Sequence, residues 1–140
     1  MISKRFAALS AGALLTLMTC SALPARAANP YLFDLMKQPA YRKAYLAMMK
    51  GAKDLPFWLD QITGKEDYVT APADIVTIAG TSYFLVNACQ PHECDTNAIE
   101  VLFSAGGAHA YALLIEDGKP NRWFGNPNAA QQAELGEPLK

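Results

Sequence analysis

The stretch "ACQPHECD", residues 88 to 95, sets Gln90, Pro91, His92 and Glu93 between Cys89 and Cys94. His92 is one of two histidines in the chain, the other being His109. Two thiols and an imidazole this close could cycle as a redox pair, clip a metal, or close a small loop around one side chain. Redox-active pairs carry two residues between their cysteines and this pair carries four, which argues against dithiol catalysis. A closed structural zinc site takes four ligands. Cys89, His92 and Cys94 supply three, and His109 falls in a different predicted hairpin. Hydrolytic chemistry lacks its parts as well: no free serine or cysteine nucleophile stands beside His92 and Glu93, and no pair of carboxylates stands out. Ser104 and His109 bracket a Gly-Gly turn without a recognisable motif and read as ordinary strand-end polarity. The residues point away from an enzyme and call for no cofactor.

The N-terminus narrows the choice by indicating a compartment. Lys4 and Arg5 precede an apolar run from Ala7 to Met18, and Ala25 and Ala27 form the small-x-small pattern of a signal-peptidase site. Together they read as a secretory leader over residues 1–27, the apolar run being too short to span a bilayer. Cys20 offers a second outcome, because "LMTC" loosely matches a lipoprotein box, but Met18 and Thr19 stand where that box takes small residues. Cleavage after Ala27 is the favoured reading, with one domain over residues 28–140 and no segment for membrane insertion. In an oxidising compartment such as the periplasm a disulfide is the default state of Cys89 and Cys94, ahead of metal ligation. Loss of Lys4, Arg5 and Arg26 leaves nine bases against thirteen acids, a formal net charge of −4. A mildly acidic exported domain is unsuited to nucleic acid. It suits a basic protein partner, whose encounter opposite charge accelerates.

The elements that must position the loop follow from periodicity. Asn29 and Pro30 read as the N-cap and first position of a short helix. Tyr41, Ala44, Tyr45, Met48 and Met49 then recur at helical spacing as a core-facing stripe, with Gly51 as the stop. In the connector "KDLPFWLDQITGKEDY", Pro56, Phe57, Trp58 and Leu59 are expected to anchor beneath that helix. From Ile75 onward the pattern is β: "DIVTIAG" and "TSYFLVNAC" divide at Ala79-Gly80, and "AIEVLFS" and "AHAYALLIE" divide at Ala105 to Gly107. Asp117-Gly118 marks a further turn before "RWFG", an edge strand, and a short helix is expected after Asn126-Pro127. The fold class is α+β: N-terminal helices packed on one face of an antiparallel meander, with a protruding disulfide-closed loop.

That loop joins two predicted strands, so hairpin closure brings the two sulfurs within bonding reach. Closing so short a ring stabilises by only about 2 kcal/mol in the chain-entropy model. Holding Gln90, Pro91, His92 and Glu93 in one shape is the stronger reason for the bond, because a loop ordered in advance avoids the ordering cost at binding. Pro91 adds to this by fixing its own φ.

These residues resemble the inhibitor of vertebrate lysozyme (Ivy) family of Gram-negative periplasmic proteins. The family's loop reads Cys-Lys-Pro-His-Asp-Cys, and this chain has "CQPHEC" at 89 to 94. "MMKGAKDLPFWL" is similar to the family's helix and its Leu-Pro-aromatic/apolar-Trp connector. "VTIAGTSYFLVNAC" and "AIEVLFS" resemble the strands that enter and leave the loop. The resemblance covers residues 39 to 115 and thins towards the C-terminus. It implies an α+β inhibitor without enzymatic activity that pushes this loop into the substrate cleft of c-type lysozyme. His92 would then be the key that meets the two catalytic carboxylates, Glu93 would make supporting contacts, and the Cys89–Cys94 disulfide would hold the loop. Relatives form homodimers, and no stretch of this sequence marks an interface for one. Gln90 departs from the family's lysine, and Glu93 is one methylene longer than its aspartate. Both departures bear on affinity and target range, an endogenous lytic transglycosylase being the alternative target.

Overall fold

A computed structural model of the chain describes residues 28–136. The leader expected over residues 1–27, and Cys20 with it, lies outside the described residues. Helix α1 (Leu32–Lys37) and helix α2 (Pro39–Met49) lead into a 3₁₀ segment, Phe57–Thr63. Six strands follow: β1 (Val69–Thr70), β2 (Asp74–Ile78), β3 (Thr81–Cys89), β4 (Ala98–Ser104), β5 (Ala110–Ile115) and β6 (Arg122–Phe124). Helix α3 (Ala129–Leu135) closes the described chain. All pairings are antiparallel in the order β1-β3-β4-β5-β6, and β2 lies beside the first part of β3 on the edge whose last two residues β1 occupies.

Alternation along the strands gives each face of the sheet its own cover. Val86 and Ala88 on β3, Ile99, Val101 and Phe103 on β4, and Ala112 and Leu114 on β5 point one way, against Leu32, Leu35, Tyr41, Tyr45, Trp58 and Ile62. The N-terminal helices therefore cover one face, as expected. Tyr41 is its main tie, meeting Phe103 edge-on at 5.6 Å and accepting a hydrogen bond at its hydroxyl from Gly106 N at 3.2 Å. Gly107 lets the β4–β5 turn approach this closely, since a Cβ there would stand 2.8 Å from Tyr41 N. The opposite face carries Leu85, Leu102 and Leu113, which pack against Leu135 of α3. Asn128 caps that helix, with a reciprocal bond to Gln131, whose amide reaches Tyr83 Oη at 3.2 Å.

Two expectations about the N-terminal half need correcting. Asn29 does not cap the first helix, which starts after Tyr31; its amide instead donates to Ala73 O at 2.8 Å and ties the chain start to the strand edge. Phe57 does not anchor the connector. Trp58, Leu59 and Ile62 are buried, whereas Phe57 is 80% exposed. A 3₁₀ turn repeats every three residues, so Leu59 and Ile62 share the inner face and Phe57 and Asp60 the outer one.

Glu100 sits on the α3 face of β4, between Asn87 of β3 and Leu113 of β5. It is buried, and its Oε2 has no hydrogen-bond partner among the described residues. Burial pushes its carboxyl up to about 7. A carboxyl raised on folding favours the protonated protein, so its cost is absent below the unfolded value of 4.5 and grows as pH rises through about 7. The stability difference between Glu100→Gln and the parent should therefore shift in favour of the variant by about 3 kcal/mol at most between pH 4 and pH 8. Denaturant melts at both pH values check this; a difference that does not move with pH would show that Glu100 is not the buried acid described.

Candidate functional site

The site is built at one end of the two longest strands. The β3–β4 ladder runs from Tyr83↔Ser104 to Cys89↔Ala98, and residues 90–97 span the gap. Val69 of β1 pairs with Cys89, and Thr70 Oγ1 donates to Asn87 O at 2.6 Å, so the outgoing end of β3 is held on both edges. β1 is too short to have been read from the sequence, and it braces the root of the loop. Beyond the ladder, Gln90 N donates to Asn97 O at 3.0 Å and extends the hairpin by one bond. Asn97 therefore closes the mouth of the loop, and Cys94 lies further out than hairpin placement alone implied.

Cys89 and Cys94 are joined as a disulfide with their Cα atoms 4.9 Å apart. The sulfurs are thereby removed as thiolate ligands, and among the described residues no three His, Cys, Asp or Glu side chains converge as a metal site. Inside the ring, Glu93 N donates to Gln90 O at 3.0 Å, which makes Gln90-Pro91-His92-Glu93 a hydrogen-bonded turn. Proline occupies its second position and His92, at φ 68°, its third. That order matches a type II turn, whose third residue is left-handed and normally Gly or Asn. A histidine there costs about 1 kcal/mol of backbone strain. The ring and its hydrogen bonds hold it in place regardless, and the side chain at the tip of the turn is exposed.

Glu93 faces back into the loop. Its Oε2 accepts from Asn97 Nδ2 at 2.8 Å, and its carbonyl accepts from Thr96 N at 3.1 Å and Asn97 N at 2.8 Å. The carboxylate thus braces the returning arm behind His92. Gln90 and Pro91 are half-buried and turn towards the 3₁₀ segment, where they line a groove of about 330 Å³ with Pro56, Phe57, Trp58, Gln61 and Asp67. Residues 92–96 are all exposed. The structure therefore brings all four predicted loop residues into one turn, with His92 exposed at its third position and Glu93 bonded to the returning arm. The sequence reading missed Asn97, whose only local signal was an amide four residues after Glu93.

Ser104 and His109 do meet, but through the backbone. Ser104 Oγ accepts from His109 N at 2.9 Å and donates to His109 O at 3.3 Å, so the hydroxyl caps a turn and does not meet the imidazole.

A clamp of this kind should show in amide exchange. In the oxidised protein the Glu93 and Asn97 amides are expected to be protected. Reduction with a phosphine should release both while leaving the central β3 and β4 amides protected, since the ring is worth only about 2 kcal/mol globally. Equal protection of Glu93 in the two redox states would remove the role given to the bond.

The family model described as inhibitor of vertebrate lysozyme (Ivy) matches residues 40–135. A Pseudomonas aeruginosa protein named inhibitor of vertebrate lysozyme is 32% identical over 119 residues, covering 75% of each chain. An uncharacterized protein of Yersinia pestis is 30% identical over 121 residues, covering 78% of this chain and 76% of its own length. A second, uncharacterized protein of Pseudomonas aeruginosa is 29% identical over 112 residues, covering 71% of this chain and 70% of its own. The matched span runs from the start of α2 to the end of α3 and contains the whole sheet and the loop, and on that ground this chain belongs to the inhibitor of vertebrate lysozyme (Ivy) family.

Proposed function

We propose that this protein is a periplasmic inhibitor of c-type lysozyme that inserts the Cys89–Cys94 loop into the enzyme's cleft and occupies its catalytic carboxylates with His92. The observation that carries the reading is the turn itself: an exposed imidazole on a strained, left-handed residue, held by a disulfide and by a proline. Strain of this kind persists only where the surroundings over-determine the conformation.

The chemistry of the target matches. A retaining glycosidase sets a protonated carboxylic acid and an ionised carboxylate about 5–5.5 Å apart. A hydrogen-bonding group lodged against both can reach one oxygen of each carboxyl at about 2.8 Å. Imidazole carries a nitrogen on each side. It can donate to both carboxylates as a cation, or donate to one and accept from the other when neutral. Occupying both removes acid and nucleophile together, and no bond in the inhibitor is made or broken. The protein acts as a plug and has no enzymatic activity of its own.

Charge and rigidity support the same reading. C-type lysozymes are basic, and the exported chain has a formal net charge of −4, so long-range attraction raises the encounter rate. The loop is ordered before binding, which lowers the entropy lost in the complex. Gln90 takes its place in the wall beside the key, and Glu93 stiffens the arm behind it and adds negative charge next to the cleft. No helix among the described residues is long and apolar enough to cross a membrane, and the leader over residues 1–27 would deliver the domain to the periplasm.

The test is a turbidity assay in which hen lysozyme clears a bacterial cell-wall suspension with the inhibitor titrated in. The parent is expected to inhibit. His92→Ala should lose about 30-fold or more, the effect of a central interface contact, with its melting temperature little changed because alanine meets the same left-handed backbone. Inhibition by His92→Ala equal to that of the parent would rule out the key-in-cleft mechanism.

A further inference from the structure

Phe57 is the most exposed of the large hydrophobic residues in the described chain, at 80%. Its neighbours make that position rigid. Pro56 precedes it, and Trp58 and Leu59 are buried directly after it, at 6% and 3% exposure. An aromatic ring on a fixed segment loses little entropy when it is covered, and aromatic residues of this kind dominate the energetics of interfaces. Phe57 lines the same groove as Gln90 and Pro91, the first half of the loop that carries His92. Asp67, exposed, is the one charged residue lining that groove.

We infer that Phe57, Pro91 and Asp67 form a second contact of the lysozyme interface, a half-apolar groove that takes one basic side chain, Arg or Lys, from the rim of the enzyme's cleft. This rests on the proposed inhibition of lysozyme and adds to it a specificity-determining residue outside the loop. Two features select the occupant. The groove is continuous with the loop, so a protein that takes His92 into its cleft brings the lip of that cleft over Phe57 and Pro91. Its single charge is negative and an exposed aromatic side chain lines it, which together suit a cation: a guanidinium or ammonium can stack on an aromatic ring while pairing with a carboxylate. A basic partner supplies such side chains, and an acidic or purely apolar one would leave Asp67 unpaired.

The groove also separates two jobs. His92 occupies groups that any enzyme of this mechanism must have, and so cannot distinguish one c-type lysozyme from another. A residue that meets the rim of the cleft can. Phe57 serves no purpose in the core that would explain an exposed phenylalanine, and the 3₁₀ segment would fold as well with a small residue in its place.

The experiment measures the Kd for hen lysozyme of the disulfide-bonded exported protein and of its Phe57→Ala, Phe57→Leu, Phe57→Tyr, Asp67→Asn and His92→Ala variants, at low and at physiological salt. Melting temperature is recorded for each. Phe57→Ala is expected to bind at least about tenfold more weakly, or about 1.4 kcal/mol, with an unchanged melting temperature because the ring is exposed. Phe57→Tyr should keep parental affinity and Phe57→Leu should lose most of what Phe57→Ala loses. Asp67→Asn should weaken binding about threefold and flatten its salt dependence. If the parent binds and His92→Ala does not, while Phe57→Ala binds like the parent, the groove contact is wrong and the loop mechanism stands. If Phe57→Leu binds like the parent and Asp67→Asn keeps the full salt dependence, the occupant is not a cation and the inference is overturned. A parent that fails to bind lysozyme overturns both this contact and the proposed function.

Discussion

The pairing of β3 with β4 is the constraint on which the rest of the molecule depends. Its register places Cys89 opposite Ala98 at the end of the ladder and thereby sets where the loop begins. The same register decides which side chains face the helices. Val86, Ala88, Ile99, Val101 and Phe103 point to the N-terminal helices, and Leu85 and Leu102 point to α3. A slip of one residue would exchange the two sets and would also separate Gln90 from Asn97, whose bond continues the ladder into the loop. Core packing on two faces therefore holds the loop in position as well as the sheet. A rigid loop on a mobile root would gain nothing from its disulfide.

Above that root, several short-range devices act on the same residue. The ring fixes the distance between Cys89 and Cys94, Pro91 fixes one dihedral, and the Glu93 to Gln90 bond closes the turn. Their joint product is a histidine in a conformation that histidine does not prefer. None of these devices adds much to global stability. Each reduces the number of states available to the tip, and that determines how tightly a short loop can bind a cleft.

Much of this was legible in the residues. Runs of nine and seven residues rich in β-branched and aromatic side chains read as strands over Thr81–Cys89 and Ala98–Ser104, which are the observed bounds. Strands covered on both faces read as near-continuous apolar runs, and length makes such runs easy to see; both conditions hold there. β1 escaped notice because two residues have no period; it exists because the last two positions of β3 had a free edge. Asn29 carries a capping residue's chemistry, but Ala73 O, 44 residues away, takes its amide, and no local pattern reports such a partner. Phe57 was misplaced because hydrophobicity alone suggested burial, whereas the tight 3₁₀ repeat turns it outward. For the candidate site, the cysteines, the proline and the histidine were readable by type and spacing. The left-handed backbone of His92 and the brace from Asn97 to Glu93 were not, because both are properties of the closed turn.

The central claim is that His92 enters the cleft where the enzyme's two carboxylates stand, and the most direct measurement is competition for that cleft. The Kd of the inhibitor for hen lysozyme would be determined with increasing concentrations of an N-acetylglucosamine oligosaccharide long enough to fill the cleft. Exclusive occupancy requires the apparent Kd to rise in inverse proportion to the fraction of enzyme left free of sugar, and so to keep rising as the cleft approaches saturation. A Kd that stays constant once the cleft is saturated would mean that the loop binds elsewhere on the enzyme.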